Sequence, residues 1–138
     1  MPVGRLVNCS LSFEVSISAG HSRPSVFPSA VLDIGFDGFA LVSQSHNQKL
    51  GLEPIGGGAT TKIELANRST QRVTTASGRV RLGDKEVSGV ILIQESDGDV
   101  LLGLKFISKM GVLLTDGENV SIVVDADARQ LKLSHLLP

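Results

Sequence analysis

The stretch LSFEVSIS (residues 11–18) alternates Leu11, Phe13, Val15 and Ile17 with Ser12, Glu14, Ser16 and Ser18. Successive side chains of an extended chain point to opposite faces, so this alternation predicts a β-strand with one buried side. Downstream, AGHSRPS supplies Gly20 and Pro24 for a connection, and VFPSAVLDIG (26–35) returns to an extended conformation. Further strands are predicted at TKIELAN, QRVTTASGRVRL, KEVSGVILIQ, VLLTD and NVSIVVD, with turns at Gly83-Asp84, Asp97-Gly98 and Asp116-Gly117. The strands read as a chain of hairpins.

Two short helices interrupt this pattern. In SQSHNQKLGL (43–52), Ser43 or Ser45 is the N-cap, Leu50 faces inward and Gly51 stops the helix. In GLKFISKMG (103–111), Leu104, Phe106, Ile107 and Met110 fall at helical spacing before Gly111. Many short strands with two small helices predict an all-β domain, either a barrel or a sandwich.

Composition narrows the function. The 138 residues suit one domain with a core that needs neither metal nor disulfide staples. Thirteen Lys plus Arg against fourteen Asp plus Glu provide no broad positive field for nucleic acid or an anionic membrane. Cys9 has no second cysteine to pair with, the first residues lack a secretory apolar stretch, and no apolar run approaches the roughly 20 residues that cross a bilayer. The expectation is a soluble, reduced, cytoplasmic protein.

Asp33 draws attention because it ends an apolar run and is followed at once by Ile34 and Gly35. Glycine lets backbone donors approach a carboxylate closely, which suits a functional acid; equally, a strand-end Asp often only accepts bonds from its own turn. Asp37-Gly38 reads as a surface turn.

Four segments in register decide between these readings. AVLDIGFDGFALVS, KLGLEPIG, the hairpin region KIELANRSTQRV and DVLLGLKFISKMG together resemble, in order and spacing, the small bacterial retropepsin-like aspartic proteases over roughly residues 11 to 125. The resemblance implies a closed barrel of short antiparallel strands with a flap hairpin. It matches Asp33-Ile34-Gly35 to the family's Asp-Thr-Gly triplet, Ala66, Asn67, Arg68, Ser69 and Thr70 to the substrate-covering flap, and Leu101-Leu102-Gly103 to the segment beneath the active site. Leu101 and Leu102 would also be ordinary core residues, and Gly103 would leave room for the chain beside the Asp turn.

Each such chain is half of an enzyme, so the resemblance also implies a homodimer that sets Asp33 against its copy and takes a peptide or protein as substrate. Two neighbouring carboxylates share one proton, which lets one act as base and the other as acid. The base activates a water and the acid polarises the scissile carbonyl, so no nucleophilic side chain, metal or other cofactor is implied.

Two departures stand out. Ile34 lacks the hydroxyl that family triplets use to brace the two catalytic loops across the dimer axis, which leaves open a weakened protease, one needing a tighter dimer, or a peptide-binding module without activity. The flap tip ANRST has no glycine, and Asn67 is its best candidate for a left-handed turn residue.

The remaining features read blandly. GGGATTK (56–62) is a flexible connection and not a phosphate loop, and ESDGD (95–99) is a hairpin turn and not a calcium loop. His21, His46 and His135 lack metal-ligand spacing and read as solvated surface residues, and Arg79 and Arg81 form a small solubilising edge. The whole chain, 1–138, is taken as one domain; its last segment, 126–138, is a dimer strand through Gln130 to Leu137, a tail on its own domain, or a frayed end.

Overall fold

Phe13, Val15 and Ile17 are each no more than 2% exposed, so the alternating stretch buries the face its sequence marks. The computed structural model describes residues 5–7, 10–20, 23–33, 35–64, 68–110, 112–116, 119–123 and 130–132. Within them the strands are β1 (Arg5–Val7), β2 (Ser10–Ser18), β3 (Ser25–Leu32), β4 (Ala40–Ser43), β5 (Thr61–Glu64), β6 (Thr70–Leu82), β7 (Lys85–Gln94), β8 (Leu101–Leu102), β9 (Val112–Asp116), β10 (Asn119–Val123) and β11 (Gln130–Lys132). The helices are α1 (Gln44–Leu50) and α2 (Leu104–Met110).

Six strands close a ring in the order β2, β3, β8, β4, β7, β6 and back to β2. The length of β6 makes closure possible. Its last part pairs with β2 through Ser16↔Arg81, Ile17↔Val80 and Ser18↔Arg79, while its first part pairs with β5 through Thr61↔Val73 to Glu64↔Thr70. The other edge of β6 is taken throughout by β7, from Val73↔Gln94 to Leu82↔Lys85 across the two-residue Gly83-Asp84 turn. The barrel is mixed: β3–β8 and β4–β7 are parallel, and the other pairings in the ring are antiparallel. In β3, the register slips between Phe13↔Ala30 and Val15↔Phe27, which sets Pro28 and Ser29 in a bulge. Proline cannot donate a ladder bond, so a bulge suits it.

Two short strands escape the alternation rule. All four residues of β4 are buried, because β4 has covered faces on both sides, and a continuous apolar run carries no period of two. β8 has only two residues, yet it lies between β3 and β4. That insertion corrects the reading of residues 95–99: the turn joins β7 to β8, which are separated by β4, so it is not a hairpin turn. Of GGGATTK, residues 56–60 are the expected connection, with Gly56, Gly57 and Gly58 all at positive φ, whereas Thr61 and Lys62 already belong to β5.

Met110 and Phe106 of α2 and Leu50 of α1 plug the barrel core. Burying each such side chain is worth about 1.5–3 kcal/mol, and that packing, more than propensity, holds helices of seven residues. Beyond the barrel, β9, β10 and β11 form a separate three-stranded sheet against α2. Residues 130–132 therefore pair with β10 of their own chain, whereas 133–137 lie outside the described residues. Among the described residues no helix is long and apolar enough to cross a membrane.

The ends of α1 follow the sequence, with one correction. Ser43 is the N-cap and Gly51, at φ 68°, is the left-handed C-cap whose N–H meets the Asn47 carbonyl at 2.8 Å. His46 is not a solvated histidine. It is half-buried, its ring stands edge-on to Phe27 at 5.3 Å, and its Nδ1 accepts the Ser43 N–H at 3.2 Å, in the place a capping glutamate or glutamine usually takes. His21 and His135 lie outside the described residues.

Burial, and then Lys49, push the His46 pKa below 6.5, against the opposite pull of Asp97 and Asp99. The folded state thus takes up this proton less readily than the unfolded chain, and Nδ1 accepts only when unprotonated. The contribution is present above pH 6.5 and is lost as pH falls through the lowered value. Stability, followed by the melting temperature, should fall on acidification below pH 6.5, by no more than a cap is worth, about 1 kcal/mol. His46→Gln keeps an acceptor without the titration and should remove this step; an identical pH profile in the variant would refute the assignment.

Candidate active site

Asp33 lies one residue beyond β3, where the parallel pairing with β8 continues. Val31 N donates to Val100 O at 2.7 Å and Asp33 N to Leu102 O at 2.9 Å. The chain then turns: Phe36 N donates to Asp33 O at 3.1 Å, and Gly35 N donates to the Asp33 carboxylate Oδ1 at 3.0 Å. The strand-end role open to any such Asp is thus present, and the same bond fixes the direction of a half-buried carboxylate. Ile34 lies outside the described residues.

The loop after Asp33 is clamped to the start of α2. Phe36 is buried, and its ring packs so closely that a Cβ on Gly38 would lie 2.7 Å from its Cε1. The Phe36 carbonyl accepts from Leu104 N at 2.9 Å, the Gly38 carbonyl from Lys105 N at 3.1 Å, and the Phe39 carbonyl from Gly103 N at 3.0 Å. A helix start leaves backbone N–H groups without partners inside the helix, and here the Asp33 loop supplies them. Gly103 permits the approach: a Cβ would overlap the Gly38 carbonyl and lie 2.5 Å from the Phe36 carbonyl. Asp37 is exposed in this loop.

Leu101 and Leu102 are adjacent and face opposite ways. Leu102 enters the main core, whereas half-buried Leu101 joins a second cluster with Phe36, Leu41 and Val73, flanked by Ile63 and Leu92. Ile63 and Val73 are a cross-strand neighbourhood at the base of the β5–β6 hairpin, so the structure brings the hairpin base to the Asp33 loop over an apolar shelf. Of the predicted flap residues, Arg68 is exposed at φ 65°, Ser69 is half-buried and Thr70 pairs with Glu64; Ala66 and Asn67 lie outside the described residues. The left-handed residue seen at this tip is Arg68.

Two contacts could not be anticipated from the chain order. Ser96 Oγ donates to Gln71 Oε1 of the hairpin at 3.2 Å, and Ser45 Oγ donates to Asp97 at 3.1 Å. The 95–99 turn therefore ties the hairpin to the N-terminus of α1. Partners 25 and 52 residues apart leave no local signal. Among the described residues, no group of three or more His, Cys, Asp or Glu side chains gathers to hold a metal. The chemistry on offer is that of one oriented carboxylate on a loop that adjoins the apolar base of the β5–β6 hairpin.

No family model matches the chain, and no curated protein matches it in sequence. Its backbone does match a solved structure, described as a retropepsin-like aspartic protease from Rickettsia conorii, with a TM-score of 0.60 and 16% identity, over 84% of this chain and 83% of that one. At that identity the likeness concerns architecture alone: the chain has the closed barrel, with two short helices, of the retropepsin-like fold.

Proposed function

We propose that the chain is one half of an aspartic endopeptidase, active as a homodimer in which Asp33 from each copy forms the catalytic pair. The observation that carries this reading is the placement of Asp33: a carboxylate oriented by Gly35 N–H, on a loop clamped by Gly103 and α2, in a barrel that shares its architecture with a retropepsin-like protease.

The chemistry follows from the pair. Two carboxylates held close share one proton. The ionised partner takes a proton from a water, whose oxygen attacks the peptide carbonyl carbon. The protonated partner donates to the carbonyl oxygen, forming a gem-diol. As the C–N bond breaks, the nitrogen takes up a proton and leaves as an amine, and a carboxylic acid forms on the other side. An extended peptide would lie along the half-buried Leu101 and Ile63, with the β5–β6 hairpin adding main-chain bonds above it. Ala66 to Thr70 serve as the covering tip, and Leu102 and Gly103 support the Asp33 loop from below.

A lone chain holds one Asp33, so the reading makes activity second order in protein. Initial rates on a denatured-protein substrate, measured across a dilution series alongside sedimentation, should give a specific activity that rises with the dimer fraction and then levels off. Specific activity that stays constant where only monomer remains would overturn the shared site.

A further inference from the structure

A depression of about 540 Å³ opens on the outer face of the β6–β7 hairpin, apart from the Asp33 loop. The cause is a pair of glycines. Gly78 and Gly89 face each other directly in the ladder and point inward, where a Cβ on Gly89 would lie 2.5 Å from the Phe39 ring and one on Gly78 would overlap the Ile91 side chain. Without those atoms the two strands settle onto the core, and the outer surface dips.

The rim is chemically specific. Ser77 and Arg79 project from β6, and their register partners Val90 and Ser88 project from β7. β4 covers the edge of β7 only from Ile91 to Gln94, and beyond it Lys109 of α2 reaches in, donating to the Ser88 carbonyl at 2.6 Å from a position 5.4 Å above the centre of the Phe39 ring. Lys109 is thereby fixed beside the dip, with further ammonium hydrogens unassigned.

Arg79 is fixed and incompletely matched. One guanidinium nitrogen, Nη2, donates to the Gly20 carbonyl, while Nε is shielded from solvent with no acceptor. Glu86 lies 3.8 Å away, beyond a hydrogen bond, and at the same distance from Arg81. One carboxylate thus faces Arg79 and Arg81 together, with Lys109 a third cation across the depression. In a chain of net charge −1 this is a local positive excess.

We propose that the depression binds the carboxylate or phosphate group of a small organic anion. The Arg79 guanidinium and the Lys109 ammonium supply two charged donors on opposite sides of the dip, and the Ser77 and Ser88 hydroxyls add neutral donors from the opposite strands. The volume exceeds what the anionic group fills, and Val90, 47% exposed, offers an apolar resting place for the remainder. A phosphate monoester or a small organic acid fits this description. The inference does not depend on the activity of Asp33.

Amide-resolved NMR titration tests it, with inorganic phosphate, acetate and chloride at matched ionic strength. Phosphate, acetate or both should give saturable shifts centred on residues 77–79 and 88–90, and chloride should not. Saturation by phosphate alone assigns the site to phosphoryl groups, and by acetate alone to carboxylates. Arg79→Gln combined with Lys109→Gln should weaken binding at least tenfold. Should that double variant lose its native spectrum, Arg79→Lys and Ser77→Ala/Ser88→Ala serve instead, and each should weaken binding at least twofold. Linear shifts equal for all three anions, or undiminished affinity in the natively folded variants, would overturn the proposal.

Discussion

Asp33→Asn is expected to abolish peptide-bond cleavage and leave the barrel and its self-association intact. The amide is nearly the same size as the carboxyl, and its oxygen can still accept the Gly35 N–H that Asp33 Oδ1 accepts at 3.0 Å. The Asp33 N–H and carbonyl, which bond Leu102 and Phe36, are main-chain groups and do not change. Stability should move by no more than about 0.5 kcal/mol, as for substitutions that break no core contact. Catalysis loses both proton-transfer roles at once, since two facing amides neither take a proton from water nor pass one to the carbonyl. Positioned general acid–base groups contribute on the order of 10² to 10⁴ in rate, so cleavage should drop by roughly 10³ or more. Initial rates, a thermal melt and sedimentation on the same preparation separate the effects. Cleavage within tenfold of the parent, in a dimer of normal stability, would eliminate Asp33 as the acid–base group.

Gly103→Ala should be the most destabilising single-methyl change near the site. The added carbon meets two main-chain carbonyls, those of Gly38 and Phe36, and also lies 2.7 Å from the Phe36 ring. Those carbonyls already accept the first N–H groups of α2, from Leu104 and Lys105, so neither can withdraw without releasing a bond. Overpacking of a rigid core costs typically 1–3 kcal/mol, and a backbone obstacle places this variant at about 3 kcal/mol. That is roughly 10 °C in melting temperature for a domain of this size. Gly51→Ala is the control. It has positive φ but nothing within 4 Å, so only the left-handed conformation is penalised, at about 1 kcal/mol. Melting curves that rank the two variants the other way would show that the Asp33 loop and α2 are not packed as tightly as the geometry states. Cleavage should decline with Gly103→Ala as well, because the loop that must yield is the one carrying Asp33.

What could be read along the chain were the features whose cause is local. Period-two alternation placed Phe13, Val15 and Ile17 inside, Gly83-Asp84 marked a two-residue turn, and Ser43 and Gly51 bounded α1, because each depends on residues a few positions away. Asp33 and Gly103 were singled out through four segments in register, and the structure sets them one residue beyond the ends of β3 and β8, two adjoining strands. At the tip of the β5–β6 hairpin, Asn67 carried the left-handed propensity but lies outside the described residues, and Arg68, without such a propensity, has the positive φ.

Tertiary structure alone decided the rest. β4 reads as an apolar run until the closed fold covers both of its faces and buries all four of its residues, and β8 is a strand only because β3 and β4 leave a slot for two residues. Leu101 and Leu102 are the same residue type in sequence, and it is the pleat of β8 that sends one to the core and the other to the shelf. His46 had no sequence mark of a cap, because histidine accepts there only when neutral and half-buried against Phe27. The Gly78–Gly89 dip and its cations come from β6, β7 and α2 meeting at one place. A chain encodes the preferences of each short segment directly, but which segments meet is a property of the closed barrel, and chemistry shared between segments exists only once it has closed.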